Sequence, residues 1–352
     1  MNVFDRLDAS LPLSDEEKML LSSVRELATK EIAPRAGDYD KSGEFPWENL
    51  RAINALGLNQ MFIPEQYGGA PLSYRAYLAC VREISQACAS TGIIWAGSDA
   101  TGMKTRFTPD GDQILVDGGK TFITNGDCAD LYLLFGKWTE IDDPKAAISA
   151  LIVEKGTPGL SVVRTEEKMG HRASSTATIA FDSMRVPRAN LLCDPGDGLR
   201  ILFGSLNKSR PSVAAHALGI ARAAWQDAVA YINEREQSGR RIVEFQGIQF
   251  MLADMATDLA QCEGWLWHVA GLVEADDDDF GIEASMLKMR ASDLAMKIST
   301  EAVQLLGGYG YCRDHRVERL MRDAKITQIW EGTNQVHRQL IGRSFMNKRG
   351  RS

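Results

Sequence analysis

The sequence predicts an α+β protein in which a helical N-terminal domain, a middle β domain and a helical C-terminal domain follow one another. Three observations support this prediction. Apolar residues recur at helical spacing up to about residue 96, and short β-rich runs separated by turn residues follow to about residue 195. Long amphipathic stretches then resume. We therefore predict domains at 1–96, 97–195 and 196–352.

The first domain begins with a helix start signal. Ser14-Asp15-Glu16-Glu17 has the form of a capping box, in which the serine caps the helix and a glutamate lies three residues later. Apolar residues at helical spacing follow until Pro34, which is predicted to end the helix. Further helices are predicted from Trp47 to Leu56 and from Ser73 to Ala89.

Turn residues divide the middle region into short extended runs. Pro109-Asp110-Gly111-Asp112 and Asp117-Gly118-Gly119-Lys120 each predict a turn. The β-rich runs lie at 121–124, 131–135, 148–153, 160–164 and 176–181. Short strands at this density predict a small antiparallel barrel or sandwich.

The last region contains three long amphipathic stretches. Their apolar faces are marked by Leu218, Ala221, Trp225, Ala228 and Ile232, by Ile248, Leu252, Met255, Leu259 and Cys262, and by Leu287, Ala291, Leu294, Ile298 and Ala302. Long helices with short connections predict an antiparallel bundle. His268 lies in an apolar part of the second stretch and is predicted to be buried.

Composition limits the class of protein. A chain of 352 residues with 44% apolar and 25% charged residues is typical of a soluble globular protein with two or three domains. The net charge of −7 argues against a nucleic-acid-binding surface, and no apolar run is long enough to span a bilayer. The N-terminus lacks the pattern of a signal or transit peptide, so a cytoplasmic location is predicted.

Neither cysteines nor histidines form a pattern that predicts a metal site. The six cysteines are scattered without a C-x-x-C pair, which favours reduced thiols, and the five histidines have no ligand spacing. We predict no metal.

The stretch 322–335 combines groups suited to proton abstraction next to a carbonyl. Glu331 precedes Gly332, whose backbone can approach a ligand closely because it has no Cβ. Such a loop can hold a carboxylate over a C–H bond while backbone N–H groups stabilise the developing oxyanion. Glu331 is therefore the candidate catalytic base.

This stretch resembles the signature near the C-terminus of the acyl-CoA dehydrogenase family. Four further segments are similar to family segments and occur in the family's order. They are Phe122-Ile123-Thr124-Asn125-Gly126, Lys168-Met169-Gly170-His171-Arg172-Ala173-Ser174-Ser175-Thr176, Gln246-Gly247-Ile248-Gln249-Phe250 and Gln304-Leu305-Leu306-Gly307-Gly308-Tyr309-Gly310. Together these motifs are highly specific, and the similarity covers almost the whole chain.

The resemblance implies a fold and an activity. The fold is an N-terminal α domain, a middle β domain and a C-terminal four-helix bundle, which enclose FAD and a thioester. The implied reaction belongs to fatty acid β-oxidation: Glu331 removes the α-proton of a saturated acyl-CoA, the β-carbon delivers hydride to flavin N5, and trans-2-enoyl-CoA forms. An electron-transfer flavoprotein is the implied electron acceptor.

The resemblance also implies the FAD contacts and a homotetramer built as a dimer of dimers. The implied cofactor-binding residues are Phe122, Ile123, Thr124, Gln304, Gly307, Gly308, Thr333 and Gln335, with Arg235, Gln237 and Gln246 reaching the FAD of a neighbouring subunit. The chain has Ser238 where family members commonly carry Phe, which puts an aromatic contact to the adenine in doubt.

The implied substrate contacts are Ser98, Arg210 and Gly332. Some relatives place the base on the first helix of the bundle instead. The matching stretch here, Asn207-Lys208-Ser209-Arg210, offers a serine and no acid, which favours Glu331.

The resemblance is interrupted between residues 96 and 97, where about forty residues, or about three average elements, are missing relative to the family. A naturally shortened member, a sequence from which a segment has been left out, and a degenerate paralogue that no longer holds FAD all remain open. The activity has alternatives too: an acyl-CoA oxidase, a desulfinase-like lyase or a flavin monooxygenase, or a non-catalytic FAD-free subunit. The acyl chain length stays undetermined.

Overall fold

The computed structural model describes residues 3–96, 105–143, 146–277 and 279–346. The chain divides into two compact units. A helical unit contains residues 1–96, 169–173 and 207–352, and a sheet unit contains residues 97–168 and 174–206.

The helical unit begins with six helices. They are α1 (Val3–Ala9), α2 (Asp15–Leu27), α3 (Ala33–Ser42), α4 (Trp47–Ala55), α5 (Tyr74–Ala87) and α6 (Ala89–Ala96). The predicted capping box is present, because Ser14 Oγ accepts from the Glu17 amide and Glu17 Oε2 accepts from the Ser14 amide. Pro34 does not end the helical path. It is the second residue of α3 and directly follows a π turn at Ala28–Ile32, in which the Ala33 amide bonds to the Ala28 carbonyl, so the proline is accommodated by a local change of the helical hydrogen bonding.

A buried cluster of charges ties α1 to the rest of this unit. Asp8 on α1 accepts hydrogen bonds from Arg222 over 2.9 and 3.0 Å and pairs with Arg82 at 2.8 Å. Arg82 and Glu263 are fully buried, and Glu263 also binds Arg222. Because a buried charge is costly without a partner, removal of any member leaves the others uncompensated.

The sheet unit contains one six-stranded sheet among the described residues. Its strands are β1 (Arg106–Asp110), β2 (Gln113–Thr124), β3 (Leu131–Trp138), β4 (Ile148–Glu154), β5 (Leu160–Thr165) and β6 (Thr176–Pro187), in the order β4-β3-β1-β2-β6-β5. Its strands contribute residues such as Phe107, Val116 and Phe181 to one buried apolar cluster.

Two expectations for this region need correction. The sheet is mixed, because β1 and β3 pair in parallel at Arg106–Lys137 and Phe107–Trp138. Strand β1 is antiparallel to β2, and β3, which follows β2 in the chain, pairs with the other edge of β1 and runs in the same direction as β1. The predicted turn at 117–120 lies inside β2, where a bulge at Gly118, with φ +134°, bends the strand without ending it.

The C-terminal part is helical, as predicted. The helices are α7 (Gly198–Glu234), α8 (Gln246–Glu274), α9 (Gly281–Leu306), α10 (Val317–Thr327) and α11 (Asn334–Ser344), and residues 211–224 in the middle of α7 are buried on all sides. Leu218, Leu259 and Leu294 are buried in a core shared with the N-terminal helices. His268, predicted to be buried, is exposed on α8. None of the helices in the described part of the chain has the length and apolarity needed to cross a membrane.

Candidate active site

Glu331 lies in the short loop that joins α10 to α11. Thr333 ends this loop by capping α11, since its Oγ1 accepts from the Val336 amide at 3.3 Å. The backbone of Glu331 has φ +52° and that of Gly332 has φ +93°. A left-handed glutamate is uncommon and carries strain, so this conformation requires support from its surroundings.

The carboxylate of Glu331 is held from α7. Ser209 Oγ donates a hydrogen bond to Glu331 Oε2 at 2.8 Å. The neighbouring Arg210 donates to Asn207 Oδ1 at 3.0 Å and to Ser285 Oγ at 3.3 Å. Burial lowers the pKa of the Arg210 guanidinium, and the charge of Glu331 opposes this shift. The structure therefore brings three predicted site residues together, namely Glu331, Gly332 and Arg210.

Two buried side chains bind the backbone of the same loop. Lys288 Nζ on α9 donates to the Gly332 carbonyl at 2.7 Å and to Asn334 Oδ1 at 3.1 Å. His337 Nε2 on α11 lies 3.2 Å from the Glu331 carbonyl, which can only accept. Both Lys288 and His337 are fully buried. Sequence reasoning missed both residues, because a lysine or histidine on an amphipathic helix looks the same whether it faces solvent or a loop.

A carboxylate on α9 organises the far side of the loop. Asp293 Oδ1 accepts from Gln328 Nε2 at 2.7 Å and from Asn334 Nδ2 at 2.8 Å, and Arg338 binds its other oxygen at 2.7 Å. Burial opposes ionisation, but the hydrogen bonds from Arg338, Gln328 and Asn334 hold the pKa of Asp293 below its usual value. These residues border a cavity of about 440 Å³ that Thr333 and Gln335 also line.

A buried pair of histidines lies beneath Trp330. His171 Nε2 and His216 Nε2 are 2.9 Å apart, and His216 Nδ1 is 2.8 Å from Ser85 Oγ. The Trp330 ring centroid lies 5.2 Å from that of His171 and 5.7 Å from that of His216. Burial lowers the pKa of His216 to about 3, so this imidazole is neutral. The pair gives the aromatic neighbour of Glu331 a polar, ordered support.

Asp323 completes this buried group on the side of α10. Its Oδ1 accepts from the His171 amide at 2.6 Å. Burial raises the pKa of Asp323 to about 6, although the bond from His171 acts in the opposite direction.

A second cavity, of about 760 Å³, collects five of the predicted cofactor residues. Arg235, Gln237, Gln304, Gly307 and Gly308 all line it. A Cβ built on Gly307 or Gly308 would meet nothing within 4 Å, so both glycines leave open space. Paired glycines, a cation and amide side chains around an open cavity fit a dinucleotide with a diphosphate.

The remaining predicted residues lie elsewhere. Gln246 begins α8 and is not among the residues that line the cavity. Ser238 occupies the turn between Gln237 and Arg240 with φ +55°, followed by Gly239 at +79°, and it does not line the cavity either. Ser98 lies outside the described residues.

Phe122, Ile123 and Thr124 end strand β2 in the sheet unit. Phe122 is 63% exposed and has φ +59°. An exposed aromatic residue with a left-handed backbone is strained, and such strain is concentrated at ligand-binding sites.

Comparison with known proteins decides the family. The model of the acyl-CoA dehydrogenase N-terminal domain matches residues 14–108, that of the middle domain matches residues 91–184, and that of the C-terminal domain matches residues 196–346. The chain belongs to the acyl-CoA dehydrogenase family. The predicted succession of α, β and α domains is therefore confirmed, and the chain is an oxidoreductase of a family of FAD-dependent enzymes.

Individual acyl-CoA dehydrogenases are similar over nearly their full length. An acyl-CoA dehydrogenase of Bacillus subtilis (strain 168) is 40% identical over 376 residues, which cover 95% of this chain and 99% of that protein. Butyryl-CoA dehydrogenase from Megasphaera elsdenii superposes with a TM-score of 0.90 at 32% identity, covering 95% of this chain and 99% of that one. A solved structure described as an electron transferring flavoprotein of Acidaminococcus fermentans superposes with a TM-score of 0.91 at 36% identity, covering 96% and 100%.

The length of the alignment bears on the predicted internal gap. The alignment with the Bacillus subtilis acyl-CoA dehydrogenase extends over 376 residues, whereas this chain has 352. The relative therefore contains residues that this chain lacks, which supports the gap. Its predicted position, between residues 96 and 97, falls at the border of the described residues.

Proposed function

We propose that this chain oxidises a saturated acyl-CoA thioester to the trans-2-enoyl-CoA, with Glu331 as the catalytic base. The observation that carries the proposal is the placement of the Glu331 carboxylate. Its residue has a left-handed backbone conformation, and its Oε2 accepts a hydrogen bond from Ser209 Oγ at 2.8 Å. Buried side chains bind the carbonyls of Glu331 and Gly332. A base must be held within hydrogen-bond reach of the proton it takes, and this loop provides such support.

The chemistry requires three tasks from the chain. Glu331 takes the α-proton, and the electron pair of that C–H bond becomes the new double bond as hydride leaves the β-carbon. Backbone N–H groups of the loop stabilise charge on the thioester oxygen, and Gly332 lets the thioester approach because it has no side chain. Arg210 contacts the CoA portion, a role that the family resemblance also implies for Ser98.

The two cavities would hold FAD. Thr333 and Gln335, at the 440 Å³ cavity, would contact FAD. Arg235, Gln237, Gln304, Gly307 and Gly308, at the 760 Å³ cavity, bind dinucleotide. Arg235, Gln237 and Gln246 would reach the FAD of a neighbouring subunit, and the active enzyme would then be a homo-oligomer. Phe122, Ile123 and Thr124 would contact the flavin ring. Bound FAD supplies the acceptor for the hydride, and an electron-transfer flavoprotein then removes the electrons.

The visible absorption spectrum of the purified protein tests this function. A panel that includes butyryl-CoA and longer, branched and aromatic acyl-CoAs is added under anaerobic conditions. We expect an oxidised-flavin spectrum that bleaches with one acyl class, and we expect Glu331→Gln to retain the flavin and lose bleaching. Unchanged bleaching in Glu331→Gln contradicts the role of Glu331. Release of peroxide in air would show an oxidase, and a protein that stays colourless with added FAD would show a non-catalytic paralogue.

A further inference from the structure

The backbone around Glu331 is bound by two side chains that no motif identifies. We propose that Lys288 and His337 are positioning residues that set the geometry of the Glu331 carboxylate by holding the carbonyls of Glu331 and Gly332. The inference rests on the proposed role of Glu331 as the base. It concerns how that base is kept in place, because both bonds end on backbone oxygens.

The loop needs such restraint because its preferred conformation lies elsewhere. Glu331 has φ +52°, a left-handed region that is unfavourable for a residue with a Cβ relative to the ordinary helical region. Gly332, at φ +93°, has no side chain to limit its backbone. An unrestrained loop of this kind would relax, and the carboxylate would move with it.

Two hydrogen bonds on consecutive carbonyls remove this freedom. His337 Nε2 fixes the peptide plane that follows Glu331, at 3.2 Å, and Lys288 Nζ fixes the plane that follows Gly332, at 2.7 Å. The Asn334 amide closes the loop by donating to the Gln328 carbonyl at 3.0 Å. Lys288 also binds the Asn334 side chain, so the hydrogen bonds of Lys288 connect α9 with the loop and with the start of α11.

The chemical state of both donors suits this role. Burial lowers the pKa of His337 to about 4, assisted by the charges of Lys288 and Arg210, so the imidazole is neutral and its proton lies on Nε2. His337 Nδ1 has no hydrogen-bond partner among the residues that the structure describes, as expected for the unprotonated nitrogen of this tautomer. Burial lowers the pKa of Lys288 to about 7 against the charges of Glu331 and Asp293. Charged or neutral, the amine keeps at least two N–H donors for its two acceptors.

Substitution of His337 separates positioning from general stability. His337→Leu removes the donor, and His337→Gln restores an N–H at a similar distance from the backbone. With the acyl-CoA that bleaches the wild-type holoenzyme, we expect His337→Leu to lower kcat about 10-fold with KM within about 3-fold, because a tenfold change corresponds to about 1.4 kcal/mol, within the usual contribution of one hydrogen bond. His337→Gln is expected to recover kcat to within about 3-fold of wild type. His268→Leu, an exposed histidine on α8, is the matched control and should leave kcat unchanged.

Substitution of Lys288 gives the larger effect. Lys288→Met removes two hydrogen bonds and is expected to lower kcat about 100-fold, the loss that follows from a misplacement of about 1 Å. Lys297→Met, on the same helix at a solvent-exposed ion pair with Asp258, is the control. If Lys288→Met does not fold, the His337 variants alone decide the proposal.

Hydrogen–deuterium exchange of the amides of residues 329–334 provides a readout that does not depend on turnover. Without substrate, we expect exchange about 10-fold faster in His337→Leu than in wild type and a wild-type rate in His337→Gln. If kcat and exchange in His337→Leu both match wild type, the proposal is overturned. If none of the acyl-CoAs bleaches the wild-type protein but the expected exchange rates are observed, the proposed function is wrong, whereas the restraint of the loop by His337 is supported.

Discussion

Ser209 Oγ on α7 donates a hydrogen bond to Glu331 Oε2 at 2.8 Å, and so joins the first long helix of the C-terminal domain to the loop between α10 and α11. The two residues are 122 positions apart in sequence. Ser209 belongs to the stretch at which some relatives are expected to carry the catalytic base. The side chains at positions 209 and 331 therefore reach the same region of the candidate site.

This contact predicts that the base can be moved between the two elements. Glu331→Gln should lower the rate of flavin bleaching by about 10²–10⁴-fold, the usual contribution of a general base. Addition of Ser209→Glu to that variant should recover at least about 10-fold, because a carboxylate then returns to the same region. Stopped-flow bleaching measures the rate, with Ser209→Ala as the control. A double variant no faster than Glu331→Gln would show that α7 cannot present a base to the substrate.

Gly332→Ala should impair both stability and turnover. Its φ of +93° costs a residue with a Cβ about 1–2 kcal/mol, and the new Cβ would lie 3.1 Å from His337 Nε2. Urea denaturation and steady-state kinetics measure the two effects. Gly342→Ala, within α11 and with nothing within 4 Å of its Cβ, is the control and should gain about 0.5–1 kcal/mol. If Gly332→Ala and Gly342→Ala have the same free energy of unfolding and the same turnover, the strained backbone at Gly332 is contradicted.

Asp323 should make stability depend on pH. Burial raises its pKa in the folded protein to about 6 from an ordinary value of 3.8, so between these two pH values the folded state binds more protons than the unfolded state. Stability from this group is therefore lost as pH rises from about 4 to 6, by up to about 3 kcal/mol. Asp323→Asn keeps an oxygen for the His171 amide and loses the ionisation.

Thermal unfolding midpoints of wild type and Asp323→Asn at pH 4 and pH 7 test this prediction. We expect the midpoint of the variant to rise relative to wild type between the two pH values. A constant difference would contradict an ionised, buried Asp323 at neutral pH.

Gly308→Leu should separate cofactor binding from folding. The position opens onto the 760 Å³ cavity and a Cβ there meets nothing within 4 Å, so the leucine fits the fold and occupies space meant for the dinucleotide. We expect the unfolding midpoint without FAD to stay near the wild-type value and flavin content, measured from visible absorbance, to fall at least about 10-fold. Gly264→Leu, at an exposed site on α8 with equally open space, should retain its flavin. Full flavin in Gly308→Leu would place the cofactor elsewhere.

Local patterns predicted the elements that depend on local chemistry. The capping box at Ser14 and the turn at Gly111 follow from side-chain and backbone preferences within four residues, and both are present. Pro34 and Gly118 were interpreted wrongly as ends of elements. Each is accommodated by a local irregularity, Pro34 by the π turn before it and Gly118 by a bulge, so neither ends its element.

The support of the candidate site could not be predicted for the same reason. Lys288 lies 44 residues from the Gly332 carbonyl that it binds, and its helix shows the same spacing as one with a solvated lysine. His268 shows the reverse case, an apparent core residue that is exposed. The motif predicts Glu331 as the candidate base, whereas the residues that bind its loop depend on how helices α9 and α11 pack around that loop.

The ion pairs of Asp8 have a consequence for the order of events during protein synthesis. Asp8 leaves the ribosome 214 residues before its partner Arg222, which corresponds to roughly 10–40 s at about 5–20 residues per second. During that interval Asp8 can pair with Arg25 and Arg82 but not with Arg222, and Glu263, which also binds Arg222, is made later still. Helix α1 therefore gains its full set of ion pairs only after the Arg222 part of α7 has been made, so the last of these bonds forms late in the folding of the helical unit.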